Sequence, residues 1–252
     1  GVRLSSFFKD ELILGSYLSR LLPTMIALFF LSDYSKVKNY SIYFVLFIIF
    51  SSSLIFLSGE RAAFLFVIFT FFYFMIMPNK FSKKIIYLSV ILIIIISTFS
   101  LQNENIKNRM FLHTFSQAGI SEGWNNFSYQ HKGHYLIAWD LFKKNKIFGV
   151  GPKNFNNHCK NNLFYQTKPY VCTTHPHNTY MQLLSETGFV GFLTIFSLFL
   201  YLFFISIKHI YLKIFKKKYH YDFATICILA SIIISLWPFI PTGSFFNNYI
   251  NI

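Results

Sequence analysis

Six runs of mostly apolar residues, each about as long as a membrane-spanning helix, dominate this sequence. A helix needs about 20 predominantly apolar residues to cross the hydrocarbon core of a bilayer, and tilt tolerates somewhat shorter or longer runs. Only 13% of the residues are charged and 54% are hydrophobic, too few polar residues to cover a soluble domain. We therefore predict an all-α integral membrane protein, a polytopic bundle of about six spans: 12–31, 40–57, 62–77, 85–101, 188–207 and 223–240.

Lysine clusters between the runs predict the orientation of the chain. They follow the first run, separate the third from the fourth, and separate the fifth from the sixth, so the positive-inside rule makes these loops cytoplasmic. The segments 1–11, 58–61 and 102–187 then lie on the outer side. Orientation and lipid phosphate explain the net charge of +14 better than a nucleic acid partner does. The clusters are Lys36 and Lys38; Lys80, Lys83 and Lys84; and Lys208, Lys213, Lys216, Lys217 and Lys218.

The outer segment 102–187 has room for an extramembrane cap within one membrane domain that covers residues 1–252. Apolar residues at helical spacing between His134 and Phe142 predict an amphipathic helix lying on the membrane, and the glycines and proline at 149–152 predict the turn that ends it. The lysines of this cap either form a solvated face beside anionic headgroups or attract an anionic, pyrophosphate-bearing substrate. They are Lys132, Lys143, Lys144, Lys146, Lys153, Lys160 and Lys168.

Two of the three cysteines, Cys159 and Cys172, lie in this cap. If the outer side is an oxidising periplasm, a disulfide between them would close a small loop immediately before the histidines and contribute roughly 3 kcal/mol of local order. The alternative is two free thiols. Cys227 lies in a predicted span, where we expect a small apolar packing residue.

The few carboxylates argue against metal and cofactor chemistry. Nine acidic residues are present, and none forms an Asp-x-Asp pair or a cluster with metal-ligand spacing, as a metal-dependent nucleotide-sugar transferase would need. His175 and His177 are two residues apart with only Glu186 as a nearby carboxylate, so we predict no zinc site. Gly149-x-Gly151 lacks the third glycine and the strand of a dinucleotide-binding loop, and we predict no cofactor.

The four arginines suit bidentate binding of phosphate, because a guanidinium is planar and permanently charged. Arg20 falls inside the first run, about 13 Å along a helix from its outer end. A charge at that depth predicts a functional role, with a structural pairing as the alternative. Arg61, in the short outer turn, is either a phosphate ligand or an interfacial anchor. For Arg3 the alternative is also headgroup anchoring, and for Arg109 we expect a solvated surface role.

His175 and His177 precede the run that begins at Gly188, so two imidazoles lie where a membrane helix meets water. A base at this boundary can meet both a lipid-borne group and a soluble one. The alternative for a lone histidine is a helix cap or a hydrogen bond to a backbone carbonyl.

These residues resemble the bacterial O-antigen ligase and O-antigen polymerase family. Its ligases have a histidine, then Asn, Ser or Gly, nine residues and Gly-x-x-Gly, and His177-Asn178 followed by Gly188 and Gly191 fits that pattern. The stretches 3–8 leading into 15–17, 58–64 and 148–155 are also similar to the family, in the same order. Members usually have more spans, and Gly1 opens directly on a polar segment, so we expect the chain to be the carboxy-terminal part of such a protein.

The resemblance implies a metal-independent, inverting glycosyltransferase of the C type, on the periplasmic face of the bacterial inner membrane. Its donor would be a glycan on undecaprenyl pyrophosphate, and its acceptor a saccharide hydroxyl such as one of lipid A core. Arg3 and Arg61, helped by Arg20, would hold the departing pyrophosphate, while His177 would accept the proton of the acceptor. The further implied roles are substrate binding for His175 and Asn178, and structural roles for Cys159, Cys172, Gly188 and Gly191.

Alternative functions remain open at this point. An O-antigen polymerase would perform the same chemistry on another lipid-linked repeat unit. A lipid-linked glycan flippase would need ionisable residues in several spans, whereas Arg20 is the clear intramembrane case here. A purely structural scaffold would not need histidines and arginines gathered on one side.

Overall fold

A computed structural model describes residues 13–32, 40–77, 82–102, 104–112, 129–160, 172–216 and 221–246. Within these ranges the regular structure is helical and contains no strand, which confirms the predicted all-α class. The helices are α1 (Leu14–Leu31), α2 (Tyr40–Leu57), α3 (Arg61–Ile76), α4 (Ser82–Gln102), α5 (Glu104–Lys107), α6 (Tyr129–Lys144), α7 (Phe155–Lys160), α8 (Thr179–Lys216) and α9 (Phe223–Ser235), with a π-helical turn at Asn108–Leu112.

Helices occupy all six predicted spans, but with different lengths. α1 and α8 are long and apolar enough to cross a membrane. The other apolar helical segments found among the described residues are 10–17 residues long: Ile42–Leu57, Arg61–Ile76, Tyr87–Ile96 and Phe223–Ser235. A helical membrane protein is therefore supported, and the number of spans stays a prediction.

The fifth and sixth predicted spans differ most from the structure. α8 begins at Thr179 rather than Gly188 and continues to Lys216, with a kink where Gly188 has φ 63° and ψ −159°. α9 ends at Ser235, five residues before the end of the sixth predicted run. Pro238 explains this early end, because proline has no N–H and its ring disfavours a helical residue before it.

The described residues divide into two compact units. The first contains the described residues up to 112 together with 202–235, and the second contains 129–201 together with 236–246. α8 contributes to both, because the division falls between residues 201 and 202. The second unit overlaps the predicted cap 102–187, but its boundaries are different.

In the first unit, α1 packs against α2, α3 and α9, and Glu60 holds the beginning of α1. The Glu60 carboxylate accepts hydrogen bonds from the backbone N–H of Gly15 at 2.6 Å and of Ser16 at 3.1 Å, and from the Ser16 hydroxyl at 2.6 Å. N–H groups in the first turn of a helix have no partner within the helix, and a negative charge is favourable there. Two of the stretches that resemble the family, 15–17 and 58–64, therefore meet at this helix start.

In the second unit, α6 and α7 pack around a buried core of Ile137, Ala138, Leu141, Phe155 and Cys159. The buried residues of α6 recur at 133–134, 137–138 and 141–142, which is the spacing of one helix face. α6 therefore has one buried face, and its predicted position on the membrane stays a prediction. A disulfide joins Cys159 to Cys172, with their Cα atoms 5.8 Å apart.

Candidate active site

α8 starts immediately after the two predicted histidines, and Asn178 fixes its first turn. Oδ1 of Asn178 accepts hydrogen bonds from the backbone N–H of Tyr180 at 3.0 Å and of Met181 at 3.1 Å. This is the geometry of a helix N-cap. Nδ2 of Asn178 donates to the carbonyl oxygen of Pro238 at 2.7 Å, which ties the segment 236–246 to the helix start. Asn178 is thus a positioning residue in this structure, and its contact with substrate stays a prediction.

His177 has a left-handed backbone conformation, with φ 56°. Residues other than glycine adopt this conformation uncommonly, although histidine does so more often than most. The conformation costs about 1–2 kcal/mol, so contacts around the residue must hold it. One such contact is the hydrogen bond that the backbone N–H of Thr242 donates to the His177 carbonyl oxygen at 3.0 Å.

The imidazole of His177 contacts three other imidazoles, and we call the four the histidine cluster. Its ring centroid lies 4.2 Å from that of His175, 5.4 Å from that of His134 and 5.7 Å from that of His131. His134 and His131 lie one turn apart on α6, and His134 is almost completely buried. The sequence prediction included His175 and His177 and missed the other two.

Burial lowers the pKa of both histidines in the loop, to about 4 for His175 and to about 3 for His177. Repulsion from the neighbouring imidazoles lowers both further, with His175, His134 and His131 acting on His177. Burial disfavours the charged form of an imidazole, and a like charge nearby has the same effect. Both rings are therefore neutral at neutral pH and can accept a proton.

Tyr135 adds a phenol to the edge of the cluster. Its ring stacks on that of His131 with centroids 6.3 Å apart. Burial raises the pKa of Tyr135, and a hydrogen bond with the Asn178 side chain opposes this rise. The phenol is therefore neutral and joins α6 to the residue that caps α8.

Gln182 and Glu186, one turn apart on α8, connect segments of the second unit. Nε2 of Gln182 donates to Oε2 of Glu186 at 2.8 Å and to Oγ of Ser244 at 2.9 Å, while its Oε1 accepts from the N–H of Phe245 at 2.8 Å. Oε1 of Glu186 accepts from the N–H of Phe155, the first residue of α7, at 2.9 Å. Both side chains are fully buried, where hydrogen bonds offset the cost of removing polar groups from water.

The turn after α6 crosses α8 at its kink. The N–H of Phe189 donates to the carbonyl of Lys146 at 2.8 Å, and the N–H of Val150 donates to the carbonyl of Ser185 at 2.9 Å. These bonds run between two backbones, so they need a close approach of the chains on both sides of the kink.

Glycines permit this close approach. Gly149 and Gly188 have positive φ values of 65° and 63°, and a Cβ on either would overlap the backbone of the opposing segment. A Cβ on Gly191 would overlap the side chain of Thr187. These contacts give the predicted structural role of Gly188 and Gly191 a physical reason, and they show that the glycine motif at 149–151 serves packing.

The disulfide lies next in sequence to the histidine loop. The Thr173 hydroxyl donates to the carbonyl of His175 at 2.7 Å, and the Thr173 carbonyl accepts from Nδ2 of Asn156 at 2.9 Å. The bridge from Cys172 to Cys159 thus adds a covalent connection to α7, where the hydrogen bond between Asn156 and Thr173 already joins the loop to that helix.

The predicted arginines belong to the first unit, apart from Arg3, which lies outside the described residues. Arg20 is 5% exposed, donates from Nη1 to the carbonyl of Ser16 at 3.0 Å, and has its guanidinium carbon 4.6 Å from the ring centroid of Phe66. It is six residues from the start of α1, about 9 Å along the helix and shallower than predicted.

Arg61 is the half-buried first residue of α3. Arg109 is half-buried and donates from Nε to the carbonyl of Gly59 at 2.9 Å, a structural contact that the sequence did not predict.

Within the described part of the chain, no group of three or more His, Cys, Asp or Glu side chains is arranged to hold a metal ion.

Sequence reasoning assigned Asn178 to substrate binding and missed its capping role, although an asparagine directly before a helix is a recognisable N-cap signal. It also missed the early end of α9, which Pro238 marks. His131 and His134 carry no sequence signal of a functional site, because two histidines one turn apart on a helix often have no shared function. Their contact with His177 depends on how α6 packs in the second unit.

A family model described as O-antigen ligase matches residues 45–196, more than half of the chain and including the histidine cluster. No curated protein and no solved structure matches this chain.

Proposed function

We propose that this chain, which belongs to the O-antigen ligase family, transfers a glycan from undecaprenyl pyrophosphate to an acceptor hydroxyl at the periplasmic face of the bacterial inner membrane. The observation that carries the proposal is the position of His177, a neutral imidazole in contact with three others at the residue before the cap of a helix long enough to span a membrane. Lipid-linked substrates and soluble groups both reach such a position.

His177 is the proposed general base. The acceptor oxygen attacks the anomeric carbon of the donor sugar, the bond from that carbon to the pyrophosphate oxygen breaks, and the hydroxyl proton passes to His177. The attack and the departure take place on opposite faces of the sugar, so the configuration at the anomeric carbon inverts. This step needs no metal or cofactor in the proposed mechanism.

Donor binding would strengthen this base. With a pKa of about 3 the free imidazole is neutral but weakly basic. A pyrophosphate brought close to His177 would raise its pKa, because an opposite charge favours the protonated form. The base would then hold the proton in the transition state, where pyrophosphate carries its additional negative charge.

The proposed phosphate ligands are Arg61 and Arg20, together with Arg3. Support comes from their chemistry, since a permanently charged guanidinium stabilises charge that develops on a departing pyrophosphate. Arg20 also has a partly structural role, because it bonds to Ser16 and covers the ring of Phe66. For this reason we expect Arg61 to be the more informative position for a test.

The test is reconstitution of the complete protein in membranes with the lipid-linked glycan donor and, separately, lipid A core or additional donor. Growth of a glycan-bearing lipid A core would support the ligase function, and elongation of the lipid-linked glycan would support the polymerase alternative. If neither product forms and the donor is moved intact between the leaflets, the ligase and polymerase functions are both contradicted and a flippase is favoured.

A further inference from the structure

We propose that the second unit is embedded in the headgroup boundary of an anionic phospholipid bilayer through Leu136, Trp139, Ile147 and Phe148, which we call the interfacial patch. The proposal concerns a contact surface and does not depend on the transfer reaction. Three features carry it: the exposed face of α6, the turn that follows α6, and the attachment of that turn to α8.

The exposed face of α6 is apolar at its centre and basic at its ends. Lys132, Leu136, Trp139 and Lys143 follow one another at spacings of four, three and four residues, so they share one face of the helix. Leu136 is 46% exposed and Trp139 is 45% exposed. Tryptophan favours the headgroup level of a bilayer, and lysines at the ends of such a face can extend their ammonium groups towards water. The face therefore fits a membrane boundary better than bulk water.

The turn after α6 exposes two large apolar side chains in succession. Ile147 is 62% exposed and Phe148 is 74% exposed. Single apolar residues on a surface are ordinary, but these two are adjacent and follow, three residues after the end of α6, a helix face that is also apolar. Exposed apolar patches mark surfaces that contact a partner or a membrane.

Backbone bonds hold this turn at the beginning of the spanning part of α8. The N–H of Val190 donates to the carbonyl of Ile147 at 3.3 Å. The ring of Phe142 on α6 contacts that of Phe189, with centroids 5.0 Å apart. Phe189 and Val190 are themselves exposed and start the uncharged run of α8, where a lipid environment begins. The interfacial patch is therefore continuous with the lipid-facing surface of a helix that is long enough to cross the bilayer.

Charge indicates which headgroups the patch contacts. Lys143, Lys144 and Lys146 are exposed beside it, and Lys143 also pairs with Asp140 at 2.8 Å. Lysines close to a membrane surface are attracted to anionic lipids. We therefore assign an anionic bilayer surface as the occupant of this patch.

Tryptophan fluorescence in lipid nanodiscs tests the proposal on the full chain. Trp124→Phe and Trp237→Phe leave Trp139 as the single tryptophan, and the lipids are phosphatidylglycerol with phosphatidylcholine brominated at shallow acyl positions. A helix at the interface is buried about 5–10 Å into the boundary, so shallow bromine atoms should remove most of the Trp139 emission. A second reporter, Phe148→Trp combined with Trp139→Phe, should be quenched similarly.

The matched control is His158→Trp, with the three natural tryptophans replaced, because His158 is exposed on α7 outside the patch. Iodide in the water should quench this control, and brominated lipid should not. Equal lipid quenching at all three positions, or none at 139 and 148, would overturn the proposal. Emission at 139 and 148 that neither quencher reaches would also overturn it, because a protein surface would then cover the patch. Unchanged emission in phosphatidylcholine alone would overturn the role given to the lysines.

Discussion

Arg20 and Glu60 in the first unit and the two loop histidines in the second are buried beside different kinds of group. In the first unit, Arg20 and Glu60 are buried beside groups that suit a charge: a carbonyl and an aromatic ring for the guanidinium, and helix N–H groups for the carboxylate. In the second unit, the imidazoles of His175 and His177 are buried against other imidazoles, and this burial keeps them uncharged. The first arrangement suits a permanent charge that stabilises an anion, and the second suits a group that receives a proton.

The largest expected effect comes from removing the proposed proton acceptor. General-base catalysis typically contributes about 100- to 10,000-fold, so His177→Ala should reduce the transfer rate by about that range while donor binding persists. His175→Ala should cost much less. Steady-state rates with lipid-linked donor provide the measurement. Equal losses in both variants, or a larger loss in His175→Ala, would contradict the assignment of the base.

The second-largest effect is expected from removing the disulfide between Cys159 and Cys172, beside the histidine loop. We expect Cys159 and Cys172 to be oxidised in the mature protein, and Cys159→Ser to reduce the local free energy of unfolding by roughly 3 kcal/mol. Hydrogen exchange at residues 172–178 would report this loss, with Cys227→Ser as the matched control, since Cys227 is a free buried cysteine of the first unit. Two free thiols in non-reducing mass spectrometry would contradict the disulfide prediction.

Replacing an arginine by a lysine tests the proposed phosphate ligand of the first unit. Arg61→Lys keeps the positive charge but loses the two-pronged grip, and hydrogen bonds to charged groups are worth about 1.5–3 kcal/mol, so transfer should fall roughly 10- to 100-fold while insertion is unchanged. Arg109→Lys is the control. It makes the same exchange at an arginine whose guanidinium already bonds to the carbonyl of Gly59 and is not a proposed phosphate ligand. Normal turnover of Arg61→Lys would leave Arg61 as an interfacial anchor.

Removing the helix cap should have a smaller effect. Asn178→Ala leaves the N–H groups of Tyr180 and Met181 without their acceptor, which should cost about 1 kcal/mol of stability. Asn178→Asp keeps that acceptor and should retain most of the stability. Thermal unfolding of the two variants separates the capping role from substrate binding: a fully stable but inactive Asn178→Ala would favour substrate binding.

The smallest effect is expected in the pH dependence near neutrality. Because the pKa of His177 is about 3, the base stays neutral well below the ordinary histidine value, and kcat/KM should not show an acid limb near pH about 6.5. The folded protein also binds fewer protons than the unfolded chain below that pH, so its stability should fall as the pH falls. An acid limb in kcat/KM near the ordinary value would show that His177 is not buried as described.

Local sequence sufficed for features whose physics is local. The uncharged run after Gly188 predicted a long apolar helix, and α8 is long and apolar enough to cross a membrane. The position of His177 before that run predicted a base at the membrane boundary. Arg20 was recognisable because a charge inside an apolar run is costly wherever the chain folds. The helical spacing of the apolar residues in α6 was also visible in the sequence alone.

The remaining features depend on contacts between distant segments. His134 reaches His177 only because α6 packs in the second unit, and no spacing rule connects the two. The glycines 149 and 188 were each visible in the sequence, but their mutual approach was not. The sixth predicted run included residues 236–240, although Pro238 signals a break in the helix. The contacts of Pro238 with Asn178 and of Thr242 with His177 could be found only in the folded chain.

The backbone of His177 determines which replacement gives the clearest test of its side chain. Alanine is poorly suited to a φ of 56°, so His177→Ala removes the imidazole and also disturbs the peptide that Thr242 holds. Asparagine tolerates the left-handed region far better than alanine. The activity difference between His177→Asn and His177→Ala would therefore measure the share of the loss that belongs to the shape of the main chain, and the activity left in His177→Asn would measure the share that belongs to proton transfer.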